Sequence, residues 1–426
     1  MKKIIPLLLN FLNRYFPKYR GVITRKLFHV DLGTKNNELN SVSYEVASTY
    51  EDYMESFRLV QNNYKRLKMT RSDDFLRATK YNLLPTTTVI IAKYNDEVIA
   101  TISLIIDSSI GLPIDEYQDI SKLRSRGGRI VEIGALTVKE EWRSKSRGLF
   151  IPLSIYCVKY AHKVLGCTVA VCSLRKSVQP FYEDIFCFKQ FGETKKYEGV
   201  NNLESVSLYA VLDQMIIDHR GIYGDKPLEK NVYKLWSEFP WRDQCDLSVP
   251  KYRLITKHLF TDSEMKSLFK VFSNVLSELD EKDKSIIKNY YQDDRTLEEL
   301  ESALDEVQAI REHPRFHVNL RGKLTSGTSI LKARVLDVSA KGVSIYTHSE
   351  LEDNSQYYLI VELDKNISVK LKLQKMWAKK GNHYGFSILE VKDRHWNDMI
   401  QHFENYLFGE ASKTQKIHKT QKKKLA

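Results

Sequence analysis

The spacing of apolar residues changes twice along this chain, and those changes limit what it can fold into. Through residues 43–215, strand-like runs such as Thr87–Ala92, Glu97–Ile106 and Cys167–Ser173 are interleaved with a helix-like run, Ile151–Leu165. Residues 216–308 take on helical spacing. From about residue 313 only short strands remain: Phe316–Leu320, Ala333–Val338, Gly342–Thr347, Tyr357–Leu363, Ser368–Trp377 and Tyr384–Glu390, closed by a helix at His395–Phe408. The pattern predicts an α+β protein: a mixed sheet-and-helix domain at 43–215, a helical connector at 216–308, and a small antiparallel barrel or sandwich at 309–408. A length of 426 residues suits two or three domains.

The charge divides along the same lines. The net charge is +12, of which residues 1–40 hold +6 and the lysine-rich stretch 411–426 another +6. The body between them is neutral, which argues against a basic groove for DNA or RNA. Residues 1–42 read as a basic amphipathic segment and 409–426 as a basic tail without apolar periodicity. The apolar run Ile4–Leu12 is too short to cross a bilayer and lacks a small-residue cleavage site, so it reads as a docking segment. The two basic ends predict a cytoplasmic protein able to meet the inner face of the membrane peripherally. Five cysteines without a CxxC pair fit a reducing compartment, and no metal-ligand spacing is present.

Two capping boxes, Thr261 with Glu264 and Thr296 with Glu299, open stripes in the connector. The first stripe comprises Met265, Leu268, Phe269, Phe272, Val275, Leu276 and Leu279. Such stripes pack on a neighbouring domain or, in the sharper reading, form a dimerising or signal-transmitting pair, which leaves a homodimer open.

Val131–Val138 is an apolar strand with one carboxylate, Glu132. A basic, Gly-containing loop, Glu141–Phe150, follows, and then the helix. A strand, such a loop and a helix N-terminus make an anion site, to which Arg143, Lys145 and Arg147 add charge. Farther on, Gln179–Phe188 reads QPFYEDIFCF. This order resembles the GNAT acyltransferase superfamily. A consecutive series narrows it: Phe57–Tyr64, Arg77–Leu84, Ala100–Leu104, Asp107–Asp115, Leu123–Gly128 and the Glu132 strand. In order and spacing the series is similar to the N-acyl amino acid synthases, relatives of the acyl-homoserine lactone synthases, over roughly residues 43–215.

That resemblance implies transfer of a long-chain acyl group, carried as a thioester on acyl carrier protein or CoA, to the α-amine of an amino acid. Glu132 would take the ammonium proton. Backbone N–H groups near Ala135, Leu136 and Thr137 would hold the oxyanion. Tyr182 would protonate the leaving thiolate, and Arg77 would meet the acceptor's carboxylate. Arg143, Ser146, Arg147, Gly148 and Leu149 would line the phosphopantetheine arm. Ser146 replaces the first glycine of the usual loop, which suits a carrier-bound arm at least as well as free CoA. No catalytic cofactor is implied.

A second constellation follows the connector. Arg311 and Arg315 lie four apart in REHPR, and DVSAKG, from Asp337 through Ser339 to Gly342, follows at a distance. Arg-x-x-x-Arg with Asp-x-Ser-x-x-Gly resembles the PilZ domain over about residues 309–405, and PilZ domains bind cyclic di-GMP. Arginine forks suit its phosphates and guanine edges, and Asp337 suits the guanine N1–H and N2–H₂. Ser339 can reach a phosphate or close a turn. Gly342 lets the backbone approach the purine or take φ > 0. Trp377, Gly385 and Phe386 read as barrel core.

Together these readings predict an N-acyltransferase regulated by cyclic di-GMP, with the connector coupling the two domains. The alternatives are a non-catalytic cyclic di-GMP effector, an acyl-homoserine lactone synthase-like enzyme, and a small-acyl GNAT using acetyl-CoA.

Overall fold

The computed structural model describes residues 17–27, 37–72, 74–143, 146–237, 247–257, 260–291, 313–326, 329–352 and 356–408. The docking segment Ile4–Leu12, Lys145, the Thr296 capping box, Arg311 and the tail 409–426 lie outside them. Among the described residues no helix is long and apolar enough to cross a membrane.

The first domain is a seven-stranded sheet. Its strands are β1 (Ser43–Val46), β2 (Thr87–Tyr94), β3 (Glu97–Ile106), β4 (Ile130–Val138), β5 (Val169–Arg175), β6 (Lys189–Tyr197) and β7 (Leu203–Val211), in the order β1-β2-β3-β4-β5-β7-β6. All pairs are antiparallel except β4 with β5, which run parallel through three rungs, Ile130–Val169, Val131–Ala170 and Glu132–Val171. A parallel pair needs a crossover, here the helix Ser146–Lys163. This helix begins upstream of the expected Ile151. Pro152, favoured in a first turn, marks a later start in the sequence, yet it sits inside the helix.

A helix spanning Tyr50–Arg66 covers the other face. Its start is fixed by a capping box in which Thr49 Oγ1 accepts from Asp52 N–H and the Asp52 carboxylate accepts from Thr49 N–H, both at 3.2 Å. The helix Gln179–Phe186, which carries Tyr182, is gripped from outside by the helix Pro17–Leu27. Arg20 of that clamp meets Glu183 and Asp184 at 2.9 Å.

The connector is only partly helical. Thr261 caps the short helix Asp262–Lys266 as its box predicts. The run then widens into a π-turn at Ser267–Val271 and breaks, because Ser273 Oγ donates to the Leu268 carbonyl at 2.8 Å and competes with the helical ladder. Met265, Leu268, Phe269, Val275 and Leu279 are buried in one cluster with Phe57 and Leu76 of the first domain and with Phe316 and Phe403 beyond it. The stripe therefore packs inside its own chain.

The last region closes into a six-stranded barrel of β8 (Phe316–Ser326), β9 (Ser329–Val338), β10 (Gly342–Thr347), β11 (Gln356–Asp364), β12 (Ile367–Lys379) and β13 (His383–Val391). Closure removes exposed strand edges. The final helix, Arg394–Phe408, plugs the barrel with fully buried Trp396, Met399 and Phe403, each worth about 1.5–3 kcal/mol by burial.

The barrel docks where β4 and β5 begin. The Arg129 guanidinium donates to the Val318 and Leu336 carbonyls at 2.8 and 2.9 Å, Asn319 Nδ2 to Val164 O at 3.1 Å, and Arg334 to Gly166 O at 2.5 Å. Gly166 has φ +69° and lies so close to Asn319 that a Cβ would sit 2.2 Å from its Oδ1, so only glycine fits.

Candidate functional site

Above its three rungs the β4–β5 ladder ends, and the two strands part. The separation begins with a kink. The register of β4 against β3 shifts between Thr101 and Ser103, and Ala135 takes φ +54°, a left-handed conformation that a non-glycine residue adopts at a cost. Gly134 beside it has open space where a Cβ would be. The wedge between Ile133–Ala135 of β4 and Ser173–Arg175 of β5 is the shared rim of two cavities, joined there by Tyr64 and Met69.

The first cavity, about 150 Å³, holds Glu132 and Arg77 with Tyr64, Tyr197 and Ser205. Glu132 is 4% exposed, and its Oε2 accepts from the Ile114 N–H at 2.8 Å. Burial pushes its carboxyl up to about 8, the Ile114 N–H pulls the other way, and the nearby Asp115 and Glu116 add to the rise. A carboxylate so placed ionises near neutrality, as a general base requires. Arg77 frames the wall: its guanidinium donates to Gly199 O at 2.6 Å and lies 4.5 Å above the Tyr64 ring.

The second cavity, about 180 Å³, holds Tyr182 with Phe186, Phe188, Val158 and Cys172. Burial pushes the Tyr182 hydroxyl well above its usual range, so it stays a proton donor. Tyr182 and Glu132 thus stand on opposite sides of one wedge, and Ala135 and Leu136 lie on the strand edge between them.

The expected phosphopantetheine residues fare unevenly. Arg143 folds back on the sheet, donating to Val138 O at 3.1 Å and Asn63 Oδ1 at 3.2 Å. Thr137 is buried with its hydroxyl unpaired, and the Leu149 side chain lies in the core, leaving only its backbone for a ligand. Ser146, Arg147 and Gly148 open the crossover helix, and their side chains lie outside the described residues.

One residue is missing from the sequence reading. Arg175 ends β5, lines both cavities, and its guanidinium makes no hydrogen bond or ion pair among the described residues. The signal for it is strand period: Val171, Ser173 and Arg175 share a face, and a strand ended at Ser173 hides the arginine.

The barrel holds a separate cavity of about 200 Å³, lined by Arg315, Ser339, Lys341, Gly342, Met376, Trp377, Phe386 and Ser387. Arg315 pairs with Asp337 at 2.5 Å. The Ser339 N–H donates to Gly342 O at 2.8 Å and closes the turn. Gly342 does not take positive φ. A Cβ there would lie 3.2 Å from Ser339 Oγ, a tight contact, and 3.5 Å from the Arg315 guanidinium, an ordinary one, so the glycine leaves room beside the cavity. Trp377 is not core: it is 37% exposed beside the cavity, with its ring resting where a side chain on Gly385 would stand. Phe386 is buried as expected.

Residues 55–210 match the family described as N-acyl amino acid synthase FeeM, and residues 309–409 match the PilZ domain. Among solved structures, FeeM, an N-acyl amino acid synthase from uncultured soil microbes, is 17% identical with a TM-score of 0.37, covering 41% of this chain and 93% of its own. The CoA-dependent acyl-homoserine lactone synthase BjaI is 16% identical with a TM-score of 0.34, covering 45% and 98%. The Bacillus subtilis inhibitor of motility MotI/DgrA is 12% identical with a TM-score of 0.19, covering 22% and 50%. No curated protein matches the chain.

Proposed function

We propose, from the premise that this chain joins an N-acyltransferase domain of the N-acyl amino acid synthase kind to a PilZ domain, that it moves a long-chain acyl group from a phosphopantetheine thioester to an amino acid's α-amine under cyclic di-GMP control. The single observation that supports this best is the wedge. It joins a cavity holding a base, Glu132, to one holding an acid, Tyr182.

In this reading the amino acid occupies the first cavity and its ammonium gives a proton to Glu132. The freed amine attacks the thioester carbonyl at the rim. Backbone N–H groups of the kinked Ile133–Leu136 edge hold the oxyanion that forms. Collapse of the intermediate breaks the C–S bond, Tyr182 donates its proton to the departing thiolate, and the second proton lost from the nitrogen as the amide forms restores the tyrosine. The acyl chain lies along the aromatic second cavity. Arg175 holds the acceptor's carboxylate, because the Arg77 fork is already engaged on Gly199 and Tyr64.

In the barrel, Arg315 takes a phosphate or a guanine edge, Asp337 accepts from guanine N–H groups, and Trp377 offers a stacking plane. Arg311 would supply the second fork. Acyl carrier protein and CoA share the phosphopantetheine arm, so both are donors to try.

The test is purified protein with long-chain acyl thioesters of each kind and a mixture of amino acids, with products read by mass spectrometry. The expected result is an N-acyl amino acid, lost in Glu132→Gln, while that variant still binds cyclic di-GMP. Undiminished product from Glu132→Gln would remove Glu132 from the mechanism.

A further inference from the structure

Among the described residues Arg129 is a buried cation without a carboxylate partner. It is 6% exposed, and its guanidinium is held by three carbonyls: Leu165 at 2.5 Å, Val318 at 2.8 Å and Leu336 at 2.9 Å. An apolar side chain would fill such a position at less cost, since burying a charge is expensive even when hydrogen-bonded. What only arginine supplies is a rigid planar fork reaching three acceptors at once. Those acceptors belong to different bodies. Leu165 precedes β5 of the acyltransferase domain, while Val318 and Leu336 lie on barrel strands β8 and β9.

The two ends of this contact are both close to chemistry. Arg129 stands immediately before β4, three residues from Glu132. Its own carbonyl accepts from the Thr168 and Val169 N–H groups at 2.8 and 3.3 Å, which ties the starts of β4 and β5 together. Leu336 adjoins Asp337, whose carboxylate pairs with Arg315 in the barrel cavity. Asn319 and Arg334 of the barrel hold the start of β5 through Val164 and Gly166. The barrel therefore grips both strands at their base, below the three rungs, and the same strands part above the rungs to form the wedge.

We infer that Arg129 is a positioning residue through which occupancy of the barrel cavity resets the separation of β4 and β5, and with it the placement of Glu132. The inference rests on the reading above, that the barrel binds cyclic di-GMP and that Glu132 is the base. A ligand phosphate or guanine that engages Arg315 competes with Asp337 for the same guanidinium. Release or tightening of Asp337 moves the neighbouring Leu336 carbonyl, and Arg129 carries that shift to the foot of β4. The three rungs act as the pivot. This route runs across the direct interface and does not need the connector.

The experiment compares wild type, Arg129→Lys and Arg129→Gln in the full chain. It measures cyclic di-GMP affinity by calorimetry, and kcat, KM and the pH profile of acyl transfer with and without cyclic di-GMP. In wild type the nucleotide should change kcat by about 5- to 150-fold, the usual span of coupling between sites, and shift the acid limb of the profile. In both Arg129 variants the dissociation constant should stay within about twofold of wild type, while the effect on kcat falls below about twofold and the limb no longer moves. Folded variants that keep the full response overturn the inference and leave the regulatory reading standing. A wild type that binds the nucleotide without any change in turnover overturns both. Should neither Arg129 variant fold, Asn319→Ala and Arg334→Ala loosen the foot of β5 instead. The same loss of response is expected of them, and an intact response overturns the inference.

Discussion

Glu132 is expected to change protonation state near pH 8, which would give the proposed acyl transfer a pH signature. The carboxyl is held up to about 8 chiefly by burial, and only its ionised form can accept the ammonium proton. The rate should therefore fall as pH drops below about 8 and rise through it, and the limb should vanish in whatever residual activity Glu132→Gln retains. A pH series of kcat/KM checks this. At Arg175 the outcome is a matter of substrate charge. Arg175→Met should raise KM for the amino acid at least about tenfold, as expected when a charge-assisted hydrogen bond is lost, and leave the amino acid methyl ester nearly unaffected. Steady-state kinetics with the pair of acceptors decides it. In the barrel, Trp377→Ala should weaken cyclic di-GMP binding by about 1–3 kcal/mol, the worth of one stacked base, measured by calorimetry.

These residues differ in how far the sequence reveals them. A lone carboxylate in an apolar strand stands out, so Glu132 is legible. Asp337, Ser339 and Gly342 are legible through their spacing. Trp377 is not, because an aromatic residue in a strand reads as core and its exposure depends on the glycine paired with it on the neighbouring strand, Gly385. Arg129 is the hardest. An arginine before a strand reads as a surface charge, and only a domain docked from some 190 residues away buries it.

At the scale of elements, the strands are the most legible and the helices the least. Strands β2 to β5 and the six barrel strands fall on the expected runs, with β8 extending past Leu320 to Ser326, whereas β6, mostly exposed and without apolar alternation, goes unannounced. The connector fails as a regular helix because a serine hydroxyl, local in sequence, outcompetes a good apolar stripe. The short helix Pro17–Leu27 gives little apolar signal, yet it clamps the element bearing Tyr182 through Arg20, Glu183 and Asp184, all mostly buried. Arg20→Ala leaves Asp184 without its closest cation. It should cost about 1–3 kcal/mol of stability and lower kcat more than it changes KM for the acceptor. Thermal unfolding and kinetics on one preparation would show it, and an unchanged melting temperature would mean the clamp contributes nothing.

Across the whole molecule, one cluster of buried residues runs from Phe57 and Leu76 of the first domain through Leu268 and Phe269 of the connector to Phe316 and Phe403 of the barrel. The two domains therefore share a core and should unfold together. Cyclic di-GMP at a hundredfold excess over its dissociation constant adds about 2.7 kcal/mol to the folded state. That stabilisation should raise a single melting transition by several degrees, and calorimetry showing two transitions with only one displaced would contradict the shared core. The connector's apolar stripe announces packing on a neighbouring domain but not on both at once, because a core residue looks alike whichever neighbour covers it.

The common rim of the two cavities has a consequence for turnover. In the proposed reaction each substrate is held by one cavity alone beforehand. Afterwards a single molecule lies in both, and the attachment of its two halves makes each half a local reservoir for the other's site. The finished amide is then bound more tightly than either reactant, and escape, not bond making, becomes the slow step. A wedge that opens at its mouth when its foot is moved would set the pace of the enzyme by how fast it lets go.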